Sequence, residues 1–283
     1  MSETLVWLLV IASAVTHAIW NFYTKKSVHK SSFLWSIQTI ASLVFMPFFI
    51  SDVLAAKIGV QEIILLIITF VFQGMYVTLL SKAYQIGEIS QVYPFMRGSA
   101  ALLIPVISIF LYDEKLTTLG WAGLILIVSG LFGLSEIFSV RVNRKLLQTF
   151  LITFGVGLSI TGYTIVDKSI LDFMSPLGLL QIYNIAGFIF LSRPALCSGK
   201  LKQEWKVNWR TIMIGAAMAP GSYLLFLIAM KYAPLSHISP IREFSIVIGC
   251  FLGFVVLKEK QALIRIVYAL VITTGITLIS FWG

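Results

Sequence analysis

The chain has 283 residues, of which 58% are hydrophobic and 12% are charged, about half the charged share of an ordinary soluble domain. This composition excludes a soluble globular protein, because too few polar residues remain to cover an apolar core. The formal net charge of +9 does not indicate nucleic-acid binding, since the Lys and Arg residues stand in short segments between apolar runs. We therefore expect an integral membrane protein surrounded by the lipid bilayer.

Ten apolar segments are long enough to cross a bilayer, whose hydrocarbon core of ~30 Å requires about 20 helical residues. The predicted all-α spans are, in chain order, Thr4–Thr24, Ser32–Ser51, Glu62–Lys82, Ile89–Tyr112, Leu116–Phe138, Leu146–Val166, Pro176–Cys197, Thr211–Met230, Leu235–Leu257 and Leu263–Trp282. The connections between them are too short for a soluble domain. The longest, Gly199 to Arg210, is predicted to be an amphipathic segment with Trp205 and Trp209 at the membrane interface.

Two distant stretches of the sequence, Phe72–Pro94 and Pro220–Pro240, resemble each other. The matched residues are Gly74 with Gly221, Tyr76 with Tyr223, Ala83 with Ala229, Ser90 with Ser236, Pro94 with Pro240 and Ser99 with Ser245. Weaker matches join helix 2 to helix 7 and the Lys26-Ser27 pair to Lys168-Ser169. We interpret these as two five-helix repeats, residues 1–140 and 141–283, and because five is odd the second repeat enters the membrane inverted.

Several strings of residues resemble those of a known family. They are His17–Ser27, Ser81–Arg97, Ile109–Thr117, Lys231–Glu243 and Val255–Lys260. Together with the length and the ten predicted helices, they resemble the EamA-like family of the drug/metabolite transporter (DMT) superfamily over essentially the whole chain. The resemblance implies a secondary transporter that moves a small metabolite by alternating access, with a central cavity between two bundles. The first string also resembles a subgroup associated with phosphonate use.

Basic residues are concentrated on one side of the predicted membrane topology. The loops that follow odd-numbered helices contain Lys25, Lys26, Lys30, Lys82, Arg141, Arg144, Lys145, Arg193, Lys200, Lys202, Lys206, Arg210, Lys258, Lys260 and Arg265. The opposite loops contain only Lys57, Lys115, Lys168 and Lys231. The positive-inside rule therefore predicts a multi-pass protein of a bacterial-type inner membrane with both termini outside. The alternative, both termini cytoplasmic, is the arrangement of the most familiar members of the family.

Three ionisable residues lie deep within the predicted spans, where each unpaired charge costs several kcal/mol. Arg97 lies about two turns into helix 4, and Arg242 with Glu243 lies at a similar depth in helix 9. One interpretation is an anion-binding fork, in which the guanidinium groups bind carboxylate or phosphonate oxygens and Glu243 pairs with a substrate amine or carries a proton. The other is a structural ion pair between helices 4 and 9.

Polar and aromatic residues also recur at helical spacing within the spans. Helix 1 presents Ser13, His17, Trp20, Asn21 and Thr24 on one face. Two interpretations stay open, namely a cavity lining in which His17 donates a hydrogen bond or carries a proton, and interhelical packing. The predicted substrate-binding residues are His17, Trp20, Asn21, Gln38, Gln73, Tyr76, Tyr93, Arg97, Gln181, Asn184, Tyr223, Arg242 and Glu243.

The leading functional prediction is a secondary transporter for an amino acid, a phosphonate or another small anion or zwitterion, coupled to a proton or to an exchanged solute. The alternative is a flippase for a lipid-linked or amphipathic substrate. We expect no enzymatic activity, because the few titratable residues at depth do not combine an acid, a base and a nucleophile. We also expect no cofactor, no metal site and no nucleic-acid partner, and a monomer or weak homodimer.

Overall fold

The computed structural model describes residues 2–55, 58–87, 89–134, 144–256 and 262–282, and the regular structure within these ranges is entirely helical. The helices are α1 (Glu3–Lys26), α2 (Lys30–Ala55), α3 (Val60–Ile86), α4 (Ile89–Tyr112), α5 (Thr118–Leu134), α6 (Arg144–Ile170), α7 (Pro176–Leu196), α8 (Leu201–Met230), α9 (Leu235–Arg242), α10 (Phe244–Val255) and α11 (Ala262–Trp282). Eight segments have the length and hydropathy of membrane spans, α9 and α10 together forming one of them. Shorter apolar segments lie within α5 and α11. The prediction of an all-α multi-pass membrane protein is confirmed.

Helix α8 begins at Leu201, ten residues earlier than the predicted span. The predicted amphipathic connector is therefore the first part of this helix, separated from the remainder by a kink at Asn208 (φ −117°, ψ 18°). Its buried Glu204 accepts a hydrogen bond from the backbone N–H of His29 (2.6 Å), and the Trp205 indole donates one to Ser36 Oγ (2.8 Å). Partial burial lowers the pKa of His29. These contacts join the start of α8 to His29 in the connection between α1 and α2 and to Ser36 in α2.

The predicted ninth span is divided into two helices at Glu243. Pro240 has no N–H to donate to the carbonyl one turn earlier, which weakens the helix at this point. The Glu243 N–H instead bonds to the carbonyl of Pro240 (3.0 Å), and Ile246 N–H bonds to that of Glu243 (2.8 Å), both with the tighter three-residue spacing. The break places Arg242 and Glu243 at an irregular backbone segment inside the bundle.

Helices α1–α5 and helices α6–α11 pack in corresponding ways. Helix α2 packs on α7, and α5 packs on α11. Helix α3 contacts α6 and α7, while α8 contacts α1 and α2; α4 contacts α5 and α6, while α9 and α10 contact α11 and α1. If α9 and α10 are counted as one broken helix, each group contains five helices. Replacing every helix by its counterpart in the other group, α1 by α6 and so on along the chain, gives the same set of pairings. The predicted boundary at residues 140 and 141 lies outside the described residues.

Two lysine residues make matching contacts at helix ends. The Lys25 ammonium donates to the carbonyl of Tyr84 (3.0 Å) at the end of α3, and the Lys168 ammonium donates to that of Ala233 (3.2 Å) just beyond α8. A cation here satisfies carbonyls that have no partner within the helix and interacts favourably with the helix dipole. The sequence match aligned Lys26 with Lys168. In the structure, Lys25 makes the contact that corresponds to that of Lys168.

Helices α5 and α11 pack closely at a pair of glycines. A Cβ atom on Gly275 would lie 2.5 Å from the carbonyl oxygen of Gly123, and one on Gly123 would lie 2.6 Å from that of Gly275. Both clashes would be with backbone oxygens, which can be relieved only if a helix shifts. This contact therefore depends on the absence of side chains, as is common where membrane helices pack closely.

We expect Gly275→Ala to lower the unfolding midpoint of the purified protein in detergent, because overpacking a tight contact costs about 1–3 kcal/mol. Gly221→Ala is the matched control, since a Cβ atom at this helical glycine would have no neighbour within 4 Å. Thermal unfolding followed by circular dichroism measures both variants. Equal midpoints for the two variants would contradict the importance of the contact.

Candidate functional site

A small cavity lies where helices from both parts of the chain meet. Its lining residues are His17 and Trp20 of α1, Tyr76 of α3, Tyr163 of α6, Tyr183 of α7, Ala219 and Tyr223 of α8, and Arg242 of α9. Its volume of about 10 Å³ leaves room for about one water molecule. Sites for small organic ligands are typically ~300 Å³ or larger, so the cavity has a closed conformation.

Most of the cavity wall is aromatic. The Tyr163 ring contacts the rings of Tyr76 and Tyr223, each with centroids 5.6 Å apart, and Tyr183 also lies 5.6 Å from Tyr223. The angles between these rings range from 56° to 87°, close to the edge-to-face arrangement that aromatic pairs favour. The tyrosine rings therefore pack against one another around the cavity, and their phenol groups contribute polar atoms to its wall.

Two of these tyrosines, Tyr163 and Tyr183, are absent from the predicted site. Tyr183 lies between the predicted residues Gln181 and Asn184, and the pattern of polar residues in helix 7 drew attention to its neighbours instead. Tyr163 lies four residues before Asp167 and therefore on the same helical face. That spacing is the signal by which it can be found in the sequence.

Arg242 supplies the positive charge of the cavity. Its guanidinium carbon lies 4.3 Å from the centroid of the Phe226 ring and 5.5 Å from that of Tyr223, within the range of cation–π attraction. Its side chain is almost fully buried. Within the described ranges, no carboxylate oxygen lies close enough to form a salt bridge with it. The guanidinium is thus held by aromatic faces and retains the capacity to bind an anion.

Arg97 has a different environment from Arg242. Its Nη2 atom lies 2.7 Å from Oε1 of Glu243, and both side chains are buried. This is the one salt bridge among the residues that the structure describes. It joins α4 to the break between α9 and α10, as the ion-pair interpretation predicts, and neither residue lines the cavity. In the closed conformation the two arginines therefore do not form a joint fork.

Several predicted site residues make hydrogen bonds between or within helices. Asn21 Nδ2 donates to the His17 carbonyl (2.8 Å), and the Tyr84 hydroxyl donates to Asn21 Oδ1 (2.7 Å). Gln181 Nε2 donates to the Ser42 carbonyl (3.0 Å), which connects α7 to α2. These amides are largely occupied by partners in the protein, which favours a packing role for them.

The other predicted residues surround the cavity without lining it. The Tyr93 ring stacks at 6.3 Å on that of His17. Asn184 Nδ2 donates to Gln181 Oε1 (3.3 Å). The buried side chain of Gln38 packs against Gly187, where a Cβ atom would lie 2.6 Å from it. Of the thirteen predicted residues, those at the cavity wall are His17, Trp20, Tyr76, Tyr223 and Arg242.

Asp167 is a third residue that is absent from the predicted site. The predicted sixth span ended at Val166, whereas α6 continues to Ile170 and carries Asp167 into the interior, where it is fully buried. Thr69 Oγ1 donates to its Oδ1 atom (2.5 Å), and Gln73 Nε2 (3.1 Å) and the Tyr223 hydroxyl donate to its Oδ2 atom. The predicted site residue Gln73 therefore serves this carboxylate and not the cavity.

We expect Arg97→Met to lower the unfolding midpoint substantially, because it leaves the Glu243 carboxylate buried without its partner, at a cost of about 3–5 kcal/mol. Replacing both residues by Met should recover most of the loss, since no isolated charge remains. Thermal unfolding in detergent compares the single and double variants. A double variant no more stable than Arg97→Met would contradict the pairing.

The comparisons with known proteins agree with this architecture. Residues 147–281 match the model of the EamA-like transporter family. Among solved structures 28 chains match, and one of them, described as "Crystal structure of protein", has a TM-score of 0.70 and 13% identity over 98% of this chain and 96% of its own. This similarity shows a common fold. No curated protein matches the sequence. The predicted resemblance is confirmed, because residues 147–281 are similar to the EamA-like transporter family, a family of the DMT superfamily.

Proposed function

We propose that this protein is a secondary transporter for a small anionic or zwitterionic metabolite, such as an amino acid or a phosphonate. The observation that supports it most directly is the Arg242 guanidinium, which is buried at the cavity with no carboxylate partner in the described part of the chain. A buried charge of this kind is costly unless it is paired. A substrate carboxylate or phosphonate supplies the missing charge and can bind the guanidinium bidentately.

The aromatic wall suits the rest of such a substrate. Phenol hydroxyls can donate to anionic oxygens, and ring faces can contact a substrate ammonium group or an aliphatic side chain. The His17 ring lies 5.1 Å from Trp20 in an edge-to-face arrangement, and its Nδ1 atom lies 3.3 Å from Ser222 Oγ. His17 is thus fixed at one end of the cavity, where it can orient a bound substrate.

Alternating access between two inverted repeats is the mechanism that we propose. Its support is the set of helix pairings that is unchanged when the two groups of helices are exchanged, together with the matching lysine contacts of Lys25 and Lys168. A helix broken near the substrate site is also typical of secondary transporters. Because the cavity is closed, substrate entry requires the helices around it to separate.

The flippase alternative is favoured by one observation. An apolar groove of about 280 Å³ lies between α4, α5 and α6, with Phe95, Leu131 and Phe150 among its lining residues. Phe132 at the same groove is 42% exposed, so the groove opens to the outer surface of the bundle, where an acyl chain can lie. The groove does not include Arg242, however, and a flippase also needs a polar route for the substrate headgroup.

A ligand screen with matched arginine variants tests the transporter proposal. Amino acids, phosphonates, organic phosphates and quaternary amines are added to the purified protein, and a true ligand raises the unfolding midpoint. We expect an anion or a zwitterion to do so for the wild type and for Arg210→Met, an exposed control, but not for Arg242→Met.

Uptake of the same radiolabelled ligand into proteoliposomes should fall at least about 30-fold in Arg242→Met, since removing one buried charged partner costs about 2–5 kcal/mol. Arg242→Lys should retain part of the uptake, because it keeps the charge without the bidentate geometry. Unchanged uptake in Arg242→Met would overturn the proposal. A lipid-linked ligand that stabilises the Arg242→Met variant would support the flippase.

The proposed orientation places both termini outside the cytoplasm. In a variant with Cys197 and Cys250 replaced by alanine, we expect a membrane-impermeant maleimide to label Ser2→Cys in intact spheroplasts but not Lys202→Cys. Both positions are exposed and lie on opposite sides in the predicted topology. Both should react after the membrane is disrupted. The reverse pattern in intact spheroplasts would show that both termini are cytoplasmic.

A further inference from the structure

We propose that Asp167 binds and releases the proton that is coupled to substrate movement. This role rests on the transport function proposed above and assigns it a coupling site. Asp167 lies on α6 and is enclosed by α3 and α8, next to the cavity but not in its wall. Its carboxylate is fully buried and takes no part in the Arg97–Glu243 pair.

The carboxylate of Asp167 has hydrogen-bond donors but no cation. The hydroxyls of Thr69 and Tyr223 and the amide of Gln73 all donate to it. No Lys, Arg or His side chain in the described ranges forms a salt bridge with it, and the ammonium of the adjacent Lys168 is directed to carbonyls at the end of α8. Three hydrogen bonds stabilise the ionised carboxylate, but burying its charge without a cation is still costly. A proton removes that charge.

The same surroundings do not suit a metal ion. A hard cation such as Ca²⁺ gathers about six to eight oxygen ligands. Both oxygens of Asp167 already accept hydrogen bonds, and no cluster of three or more His, Cys, Asp or Glu residues occurs within the described chain. The adjoining cavity holds about one water molecule. A proton needs no coordination shell, and it therefore fits the site better.

Gln73 allows Asp167 to exist in both protonation states. Its Nε2 atom donates to the carboxylate, and to Thr69 Oγ1 at 2.9 Å, whereas its buried Oε1 atom has no hydrogen-bond partner in the described structure. A rotation of the amide group brings this acceptor to Asp167, so that a protonated acid can donate to it. The hydroxyl of Thr164, one turn before Asp167, is likewise buried without a partner.

Tyr223 connects the proposed proton site to the substrate site. Its hydroxyl donates to Asp167, while its ring lines the cavity and lies 5.5 Å from the Arg242 guanidinium. Protonation of Asp167 removes the charge that holds this hydroxyl and frees it to turn toward a substrate anion. An anion bound at Arg242 in turn favours the protonated form of Asp167. Coupling of this kind is reciprocal by thermodynamic necessity.

Among the residues that the structure describes, the other titratable groups near Asp167 are phenols, the ammonium of Lys168 and the guanidinium of Arg242. Tyr163 lies on the same helix, Tyr223 faces Asp167 from α8, and Tyr112 of α4 donates to the carbonyl of Ile165 (2.6 Å), two residues before Asp167. Helix α3 contributes Thr69 and Gln73, which do not titrate. Phenols, amines and guanidinium groups stay protonated near neutral pH. Among these neighbouring groups, Asp167 is therefore the one that we expect to titrate.

The first test needs no substrate. Infrared spectra of the reconstituted wild type are recorded from about pH 9 to about pH 5, a range in which an ordinary carboxyl group stays mostly ionised. We expect a carbonyl band of a buried carboxylic acid to grow as the pH falls. It should be lost in Asp167→Asn but retained in Glu243→Gln and in Asp172→Asn, an exposed control. No titrating band, or a band that remains in Asp167→Asn, would overturn the proposal.

The second test separates coupling from transport. Proteoliposomes are given radiolabelled alanine or 2-aminoethylphosphonate, a carboxylate and a phosphonate zwitterion, with or without a pH gradient of about one unit, which can sustain about tenfold accumulation. We expect gradient-driven accumulation by the wild type and its loss in Asp167→Asn, with exchange of internal for external substrate retained. Accumulation by Asp167→Asn, or wild-type uptake indifferent to the gradient, would overturn the coupling role while transport stands. Absence of any wild-type uptake would instead contradict the proposed substrate class, and the infrared test would still decide whether Asp167 binds a proton.

Discussion

The ion pair between Arg97 and Glu243 determines the charge arrangement of the whole interior. It neutralises one of the two buried guanidinium groups and joins α4 to the break in the chain between α9 and α10. Because Glu243 is committed to Arg97, Arg242 is left with the aromatic faces of Tyr223 and Phe226. Arg242 and Glu243 are adjacent in sequence but have different roles. Glu243 closes a contact between helices, and Arg242 supplies a charge to the cavity.

The break in the chain next to this pair is possible because protein encloses it. Irregular backbone at membrane depth is tolerated only where other protein groups, and not lipid, surround it. At the other end of the short helix α9, the Glu114 carboxylate accepts hydrogen bonds from the backbone N–H groups of Leu235 and Ser236, each at 2.8 Å. Helix α9 is therefore held at both ends by acidic residues, Glu114 at its start and Glu243 at its end. Arg242 is the last residue of this short helix.

The sequence was sufficient to predict the helices and the importance of charge at depth, because span length and the cost of burying charge depend on local composition. The choice of ion-pair partners could not be predicted in this way. Which of Arg97 and Arg242 takes Glu243 is decided by the rotation of each helix about its axis, which apolar patterns do not define closely. Asp167 was missed because an Asp-Lys pair normally marks a helix end in water. Here Lys168 reaches the end of another helix, and α6 continues for one more turn.

Four ionisable side chains buried at or next to the cavity, Arg97, Arg242, Glu243 and Asp167, have no net charge when both acids are ionised. Arg97 pairs directly with Glu243, whereas Arg242 and Asp167 form no salt bridge with each other and contact opposite parts of Tyr223, its ring and its hydroxyl. A substrate anion that binds Arg242 leaves the interior with one excess negative charge, and in a medium of low dielectric constant this charge is costly. Uptake of one proton by Asp167 restores neutrality. The cavity has room for only about one water molecule, so the proposed binding of one proton together with one anionic group keeps the interior neutral without further ions. In the proposed mechanism, coupling therefore follows from the arrangement of these four charges.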